Sequence, residues 1–123
     1  MRITRFEDID GWKAARKLAQ ALSRRTRQGS WFRDSFLANQ ARRCALSAMA
    51  NIAEGFDAGT HREFIRFLRI SFRSVSELQS HLYAALDEAY IDQAVFASLY
   101  DQCRQTKSLI AGFIRYLKTC LNK

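Results

Sequence analysis

Two rows of polar residues are the parts of this sequence that could do chemistry. Arg43, Ser47, Asn51 and Glu54 recur at steps of four, four and three, so on a helix they line one side. Arg62, Arg66, Arg69 and Arg73 recur at steps of four, three and four. With Arg62 at 0°, the other three fall at about 40°, −20° and 20°, a narrow cationic stripe. Glu54, Glu63 and Glu77, with His61 and His81, raise the question of a di-metal carboxylate site. Such a site draws Glu-x-x-His from each of two helices, and the sequence contains none. His61 and His81 stand about five turns apart on one helix, too far to share an ion. A Gly-rich phosphate loop, His-Glu-x-x-His, a nucleophile elbow and Ser-x-x-Lys are all missing. No catalytic residue, metal ligand or cofactor is nominated, and no enzymatic activity is expected. What the arginines can do is offer forked donors to phosphates or carboxylates.

The elements that position these rows are helices, expected at about 10–28, 34–56, 61–89 and 93–121. In the first, Trp12, Ala15, Leu18, Ala19 and Leu22 share a face, with Asp8 or Asp10 as cap. Lys13, Arg16, Lys17, Arg24 and Arg27 stand opposite, with no acid at i±4 to pair with. Gly29 is the expected left-handed stop. Trp31-Phe32 is expected to cover the end of the fold or a subunit contact. In the second helix, opened by Asp34 or Ser35, Ala41, Ala45, Ala48, Met49, Ile52 and Phe56 form a dry side next to the polar row. Small residues there let a neighbour approach closely. Thr60 and Glu63 form a capping box that opens the third helix. Its core line is Phe64, Leu68, Val75, Leu78 and Leu82. Ile65, Phe67, Ile70, Phe72 and Tyr83 widen the apolar arc to roughly 220°, more than one bundle face uses, so a subunit interface is expected to take the surplus. In the fourth helix, capped by Asp92, Phe96, Leu99, Cys103, Thr106, Ile110, Phe113, Leu117 and Cys120 make a heptad seam. Short connections and no linker give one domain over 1–123, an all-α, antiparallel up-down-up-down four-helix bundle.

Folding helix 2 back on helix 3 around Ala58-Gly59 makes residues whose numbers add to about 117 face each other in an antiparallel pair. Glu54 then meets Arg62 or Arg66, and Arg43 reaches Ser74 and Glu77. A buried Arg43–Glu77 charge pair is the expectation, with Ser47, Asn51 and Glu63 completing a structural polar seam.

Bulk properties narrow the function classes. The 123 residues are 48% hydrophobic, contain no proline and carry a formal charge of +8, with a pI near 9.9. Disorder is excluded by the apolar content. No run approaches 18 apolar residues, so no membrane span is expected, and the N-terminus lacks the apolar core of a signal peptide. Cys44, Cys103 and Cys120 read as buried free thiols in a reducing cytoplasm, without close metal-ligand spacing. The charge admits nucleic acid, an anionic surface or an acidic protein as partner.

Five stretches carry a family resemblance: Phe6-x-x-Ile9-x-x-Trp12-x-x-Ala15, Gln40-x-Arg42-Arg43, Ser47-x-x-x-Asn51-Ile52-Ala53-Glu54-Gly55-Phe56, Glu63-Phe64-x-x-Phe67-Leu68 and Ser74-x-x-Glu77-Leu78. Together they resemble the 23S rRNA-intervening-sequence proteins over nearly the whole chain, most specifically at Asn51–Phe56. The resemblance implies an antiparallel bundle, a ring-shaped homo-oligomer (a pentamer) and contact with nucleic acid. A group similar in form is the accessory proteins of diversity-generating retroelements, which assist a reverse transcriptase on RNA. The chain departs from the pattern at Phe36, where glycine is usual, at Arg73, where a small residue is usual, and around Trp31-Phe32, where proline is missing.

The expected function is therefore phosphate-led binding of RNA or DNA by a basic homo-oligomer, through Lys13, Arg16, Lys17, Arg24, Arg42, Arg62, Arg66, Arg69 and Arg73. Five chains at +8 would carry about +40, a strong field for polyanions. The alternative is an oligomeric scaffold whose apolar and arginine surfaces grip a protein partner, such as an enzyme it assists.

Overall fold

Three of the four helices begin on a side chain that takes up a free backbone N–H. In a computed structural model describing residues 3–121, the helices are α1 (Asp10–Arg25), α2 (Ser35–Phe56), α3 (His61–Asp87) and α4 (Gln93–Leu121). Asp34 accepts from Leu37 N at 3.1 Å, Thr60 from Glu63 N at 3.1 Å and Asp92 from Val95 N at 2.8 Å. α1 is the exception. Its N-cap is Ile9, which offers no side-chain acceptor. Asp8, one of the two expected caps, instead turns back within a 3₁₀ turn at Phe6–Asp8 and accepts from Thr4 N and Oγ1, both at 3.2 Å. The Thr4 amide is the main reason its carboxyl is held below the usual range.

Two helices stop short of their expected ends. Thr26 donates its hydroxyl to the Leu22 carbonyl at 2.7 Å in a buried site, and Arg27 and Gln28 then bond three residues back. This tightening ends α1 at Arg25. Gly29, at φ +57, opens a second 3₁₀ turn, Gly29–Arg33, that leads into α2. α3 closes at Asp87 with a Schellman pair, Tyr90 N to Ala85 O and Ala89 N to Leu86 O, both at 2.9 Å. The left-handed position is held by Ala89 at φ 60, where glycine is usual.

α1 packs on α2 and α4, and α3 packs on the same two, so α1 and α3 stand on a diagonal. Gly11 of α1 lies beside Ile52 of α2 and Ile110 of α4; Lys107 of α4 donates to Gln79 of α3 at 3.0 Å. Each helix thus runs antiparallel to its sequence neighbours, as a four-helix bundle requires. The core is formed by Leu18, Leu22, Ile52, Leu68, Val75, Leu78, Leu82 and Ile110, all essentially without solvent contact. Trp31 is wholly buried too, but its neighbour Phe32 is exposed, so the pair divides rather than capping the fold together. The wide apolar arc of α3 is mostly absorbed within the chain. Ile65 is buried, Phe67, Ile70 and Phe72 are half-buried, and of the five widening residues only Tyr83 is exposed.

α2 and α3 share the closest packing. Ala41, Ala45 and Ala48 of α2 are fully buried. Ser71 of α3 donates to the Ala48 carbonyl at 2.8 Å. A Cβ at Gly55 would lie 2.8 Å from Phe64 Cδ1 and from Phe67 Cβ. Only glycine lets the end of α2 pass the start of α3 at this distance.

Candidate nucleic-acid interface and the α2–α3 seam

The arginine stripe of α3 faces solvent along its whole length. Arg62, Arg66, Arg69 and Arg73 are all exposed, opposite the buried line Phe64, Leu68, Val75 and Leu78. Arg66 donates to Glu63 Oε2 at 2.9 Å and lies 4.8 Å from the centroid of the Phe67 ring. The Glu63 bond raises its pKa, so this guanidinium is partly engaged. Among the described residues, Arg62, Arg69 and Arg73 have no carboxylate within salt-bridge distance.

The second cationic face, on α1, is exposed at Lys13, Arg16, Lys17 and Arg24. Its expected lack of acidic partners holds only in part. Asp10, three residues before Lys13, stands 3.9 Å from the ammonium. Arg16 lies over the Trp12 ring at 5.9 Å. Since α1 and α3 are diagonal, the two faces occupy opposite corners and do not merge into one patch. Arg42 is half-buried and donates to Asn39 of its own helix.

The polar seam differs from expectation in a consistent way. The neighbour of Ser47 is Ser74, at 3.0 Å, one helical turn further along α3 than the tight-turn register predicts. With this shift Cys44, not Arg43, comes to Glu77. Arg43 is exposed and donates to Gln40 Oε1 on its own helix at 3.5 Å. No Arg43–Glu77 ion pair forms. Glu54 is exposed and meets neither Arg62 nor Arg66. Asn51 folds back to the Ser47 carbonyl at 2.8 Å, and Ser74 donates to Ile70 O at 3.1 Å. What crosses the interface is therefore small: a hydroxyl pair, the Ser71–Ala48 bond and a thiol.

Cys44 is buried, and burial pushes its thiol up to about 12, with the Glu77 carboxylate adding to the shift and the Arg43 charge opposing it. Burial pushes Cys103 up to about 12 as well, against the Lys107 charge. Cys120 is half-buried, so only two of the three thiols are buried as expected. His81 is hydrogen-bonded to Glu77 at 3.3 Å and partly covered, and His61 is an exposed first-turn residue, both as their helix positions suggest. Sequence spacing did not group Cys44 with Glu77 and His81. The i, i+4 pair is visible on one helix, but the third member depends on the inter-helix register.

At one end of the bundle, an open groove of about 900 Å³ lies between the start of α1, the α2–α3 turn and the last turns of α4. Its walls include Ile9, Phe56, Phe64, Phe113 and Tyr116, with His61 among the lining residues.

The sequence model of one protein family, described as 23S rRNA-intervening sequence protein, matches residues 7–112. Among curated proteins no match is found. Among solved structures, the chain is similar to a protein from Bacteroides thetaiotaomicron VPI-5482, described as of unknown function and from the S23 ribosomal protein family. The TM-score is 0.76 at 18% identity, covering 85% of this chain and 95% of that one. At that identity the likeness speaks for the fold.

Proposed function

Because the chain belongs to the 23S rRNA-intervening sequence protein family, we propose that it is a non-enzymatic, basic helical bundle that binds RNA through phosphate contacts. The observation that carries this reading is the α3 ladder. Arg62, Arg69 and Arg73 project to solvent without acidic partners among the described residues, on a protein of net charge +8. Four guanidinium groups spread over about 16 Å match the pitch of a phosphate backbone better than a single small anion. The α1 face supplies a second contact at the opposite corner. Binding of this kind is weak in sequence preference and steep in salt dependence. Among the described residues no row of exposed stacking aromatics accompanies the ladder, so base readout plays little part.

The working form in this proposal is a cytoplasmic homo-oligomer, a pentamer as the family resemblance implies. Exposed Leu46 and Tyr116 (each 58%) supply apolar surface for subunit contacts. A second reading, a scaffold for a protein partner, is favoured by Phe32 in the 3₁₀ turn before α2 and Phe36 in its first turn, 62% and 74% exposed.

The test is a mobility shift with labelled single-stranded RNA and duplex DNA at about 50 mM salt, alongside light scattering. A salt-sensitive shift by an oligomer supports the proposal. Failure to shift either nucleic acid overturns it, and a stoichiometric protein partner that survives nuclease and high salt supports the scaffold instead.

A further inference from the structure

We propose that Cys44 of α2, with Glu77 and His81 of α3, is a binding site for a divalent metal ion of borderline softness, zinc above all. The donor atoms of the three side chains all lie within 4.8 Å of one another. They supply one sulfur, one oxygen and one nitrogen. That mixture suits zinc or cobalt and disfavours magnesium and calcium, which take oxygen ligands.

The geometry is close to what binding needs. Zinc sits about 2.3 Å from sulfur and about 2.0–2.1 Å from nitrogen and oxygen, so tetrahedral donors stand roughly 3.5 Å apart. His81 Nε2 and Glu77 Oε2 are already 3.3 Å apart, held by their i, i+4 spacing on α3. Closing the remaining distance takes about an ångström, within reach of torsions in the Glu77 and His81 side chains. Cys44 forms the floor, fixed in the close-packed part of α2. The Glu77 side chain is 57% exposed and that of His81 24% exposed, so the site opens to solvent on one side. Three protein ligands and an open side leave the fourth position to water.

Charge also balances. On binding, the Cys44 S–H bond breaks and its proton passes to buffer. A sulfur–metal bond replaces it, with no change of oxidation state. The thiolate and the Glu77 carboxylate together neutralise a divalent ion. Arg43, the nearby cation, is on the exposed side of α2 and can turn away. A plain His–Glu hydrogen bond over a buried thiol is the structural alternative, and it makes a different prediction. It needs all three residues for packing alone and gives no metal response.

The experiment is a cobalt(II) titration of the reduced full-length chain, followed by ultraviolet and visible absorption. The proposal expects, at one equivalent per chain, a thiolate-to-cobalt charge-transfer band with tetrahedral-type visible bands, both removed by zinc. Cys44→Ser abolishes the charge-transfer band. Glu77→Gln and His81→Ala each weaken binding by more than the roughly 10–100-fold expected of a residue that only orients a ligand. Cys103→Ser and Cys120→Ser leave the band in place. The exposed position of Glu77 keeps the test open should Cys44→Ser fail to fold. A wild-type chain without a sulfur-to-cobalt band overturns the proposal. So does a band that survives Cys44→Ser, or one indifferent to both Glu77→Gln and His81→Ala.

Discussion

Replacing Arg69 and Arg73 by glutamine tests the α3 ladder most directly. Both side chains are exposed and neither pairs with a carboxylate among the described residues, so stability should change by no more than about 0.5 kcal/mol for each substitution. The binding effect is calculable. Each phosphate neutralised on a single strand contributes about 0.7 to the slope of log affinity against log salt. Four ladder arginines, fully engaged, give a slope of about −2.8 and lose about 50-fold in affinity between 50 and 200 mM salt. Without Arg69 and Arg73 the ladder's slope falls to about −1.4, and the same salt change costs roughly 7-fold. Contacts from α1 add equally to both proteins and leave the difference of about 1.4 intact. The assay is fluorescence anisotropy of a labelled homopolymeric RNA across that salt range. Arg69→Lys with Arg73→Lys provides the charge control, and it should keep the wild-type slope. Equal slopes for the wild type and the glutamine variant would refute the assignment of phosphate contacts to this face.

Three further outcomes concern the fold. Gly55→Ala forces a Cβ to 2.8 Å from Phe64 and Phe67, so a loss of about 1–3 kcal/mol and a drop of several degrees in thermal midpoint are expected. Asp34 both caps α2 and accepts from the Tyr90 hydroxyl at 2.9 Å, so Asp34→Ala should cost about 2–3 kcal/mol, and Tyr90→Phe only about 1, by urea denaturation. The raised thiols of Cys44 and Cys103 hold their protons more tightly when folded than at the ordinary value of 9.0. Their contribution is therefore complete below pH 9.0 and is lost as pH rises towards about 12. The slope is up to about 1.4 kcal/mol per pH unit for each thiol. Comparing the urea midpoints of wild type and the Cys44→Ser, Cys103→Ser double variant above and below pH 9.0 isolates this term; equal pH profiles would remove it.

Features set by near neighbours in the chain were legible in the sequence. Asp34, Thr60 and Asp92 cap their helices because a cap is a three-residue event. The α4 seam from Phe96 to Leu117 is buried or half-buried because its period alone defines a face. The α3 ladder faces solvent for the same reason. Helix ends were less legible. Thr26 can bond back to Leu22 or continue a helix, and Ala89 takes a left-handed conformation beside Tyr90, which is held against Asp34, and Ile91, which is buried. The family membership was legible because its motifs are short runs within helices, set by residue type and local spacing.

Register was the part that needed three dimensions, and its physics explains why the expected ion pair is missing. The α2–α3 seam is lined by Ala41, Ala45, Ala48, Gly55 and Ser71, and bridged by Ser47 and Ser74. Residues this small bring the backbones so close that Gly55 has no room for a methyl group. An arginine or glutamate cannot enter such an interface, and burying one would also incur a desolvation cost of several kcal/mol. The closeness that selected short hydroxyls and a thiol for the seam therefore pushed Arg43, Glu54 and Glu77 to its rim. There Glu77 stays in reach of both His81 and the thiol at the floor, and Arg43 is left facing solvent. The same packing turns the apolar line of α3 inward along its full length and commits Arg62, Arg66, Arg69 and Arg73 to the outside. The tight seam and the exposed ladder are two faces of one helix: the seam sets how α3 lies on α2, and the helical period sets the spacing of the arginines on the opposite side.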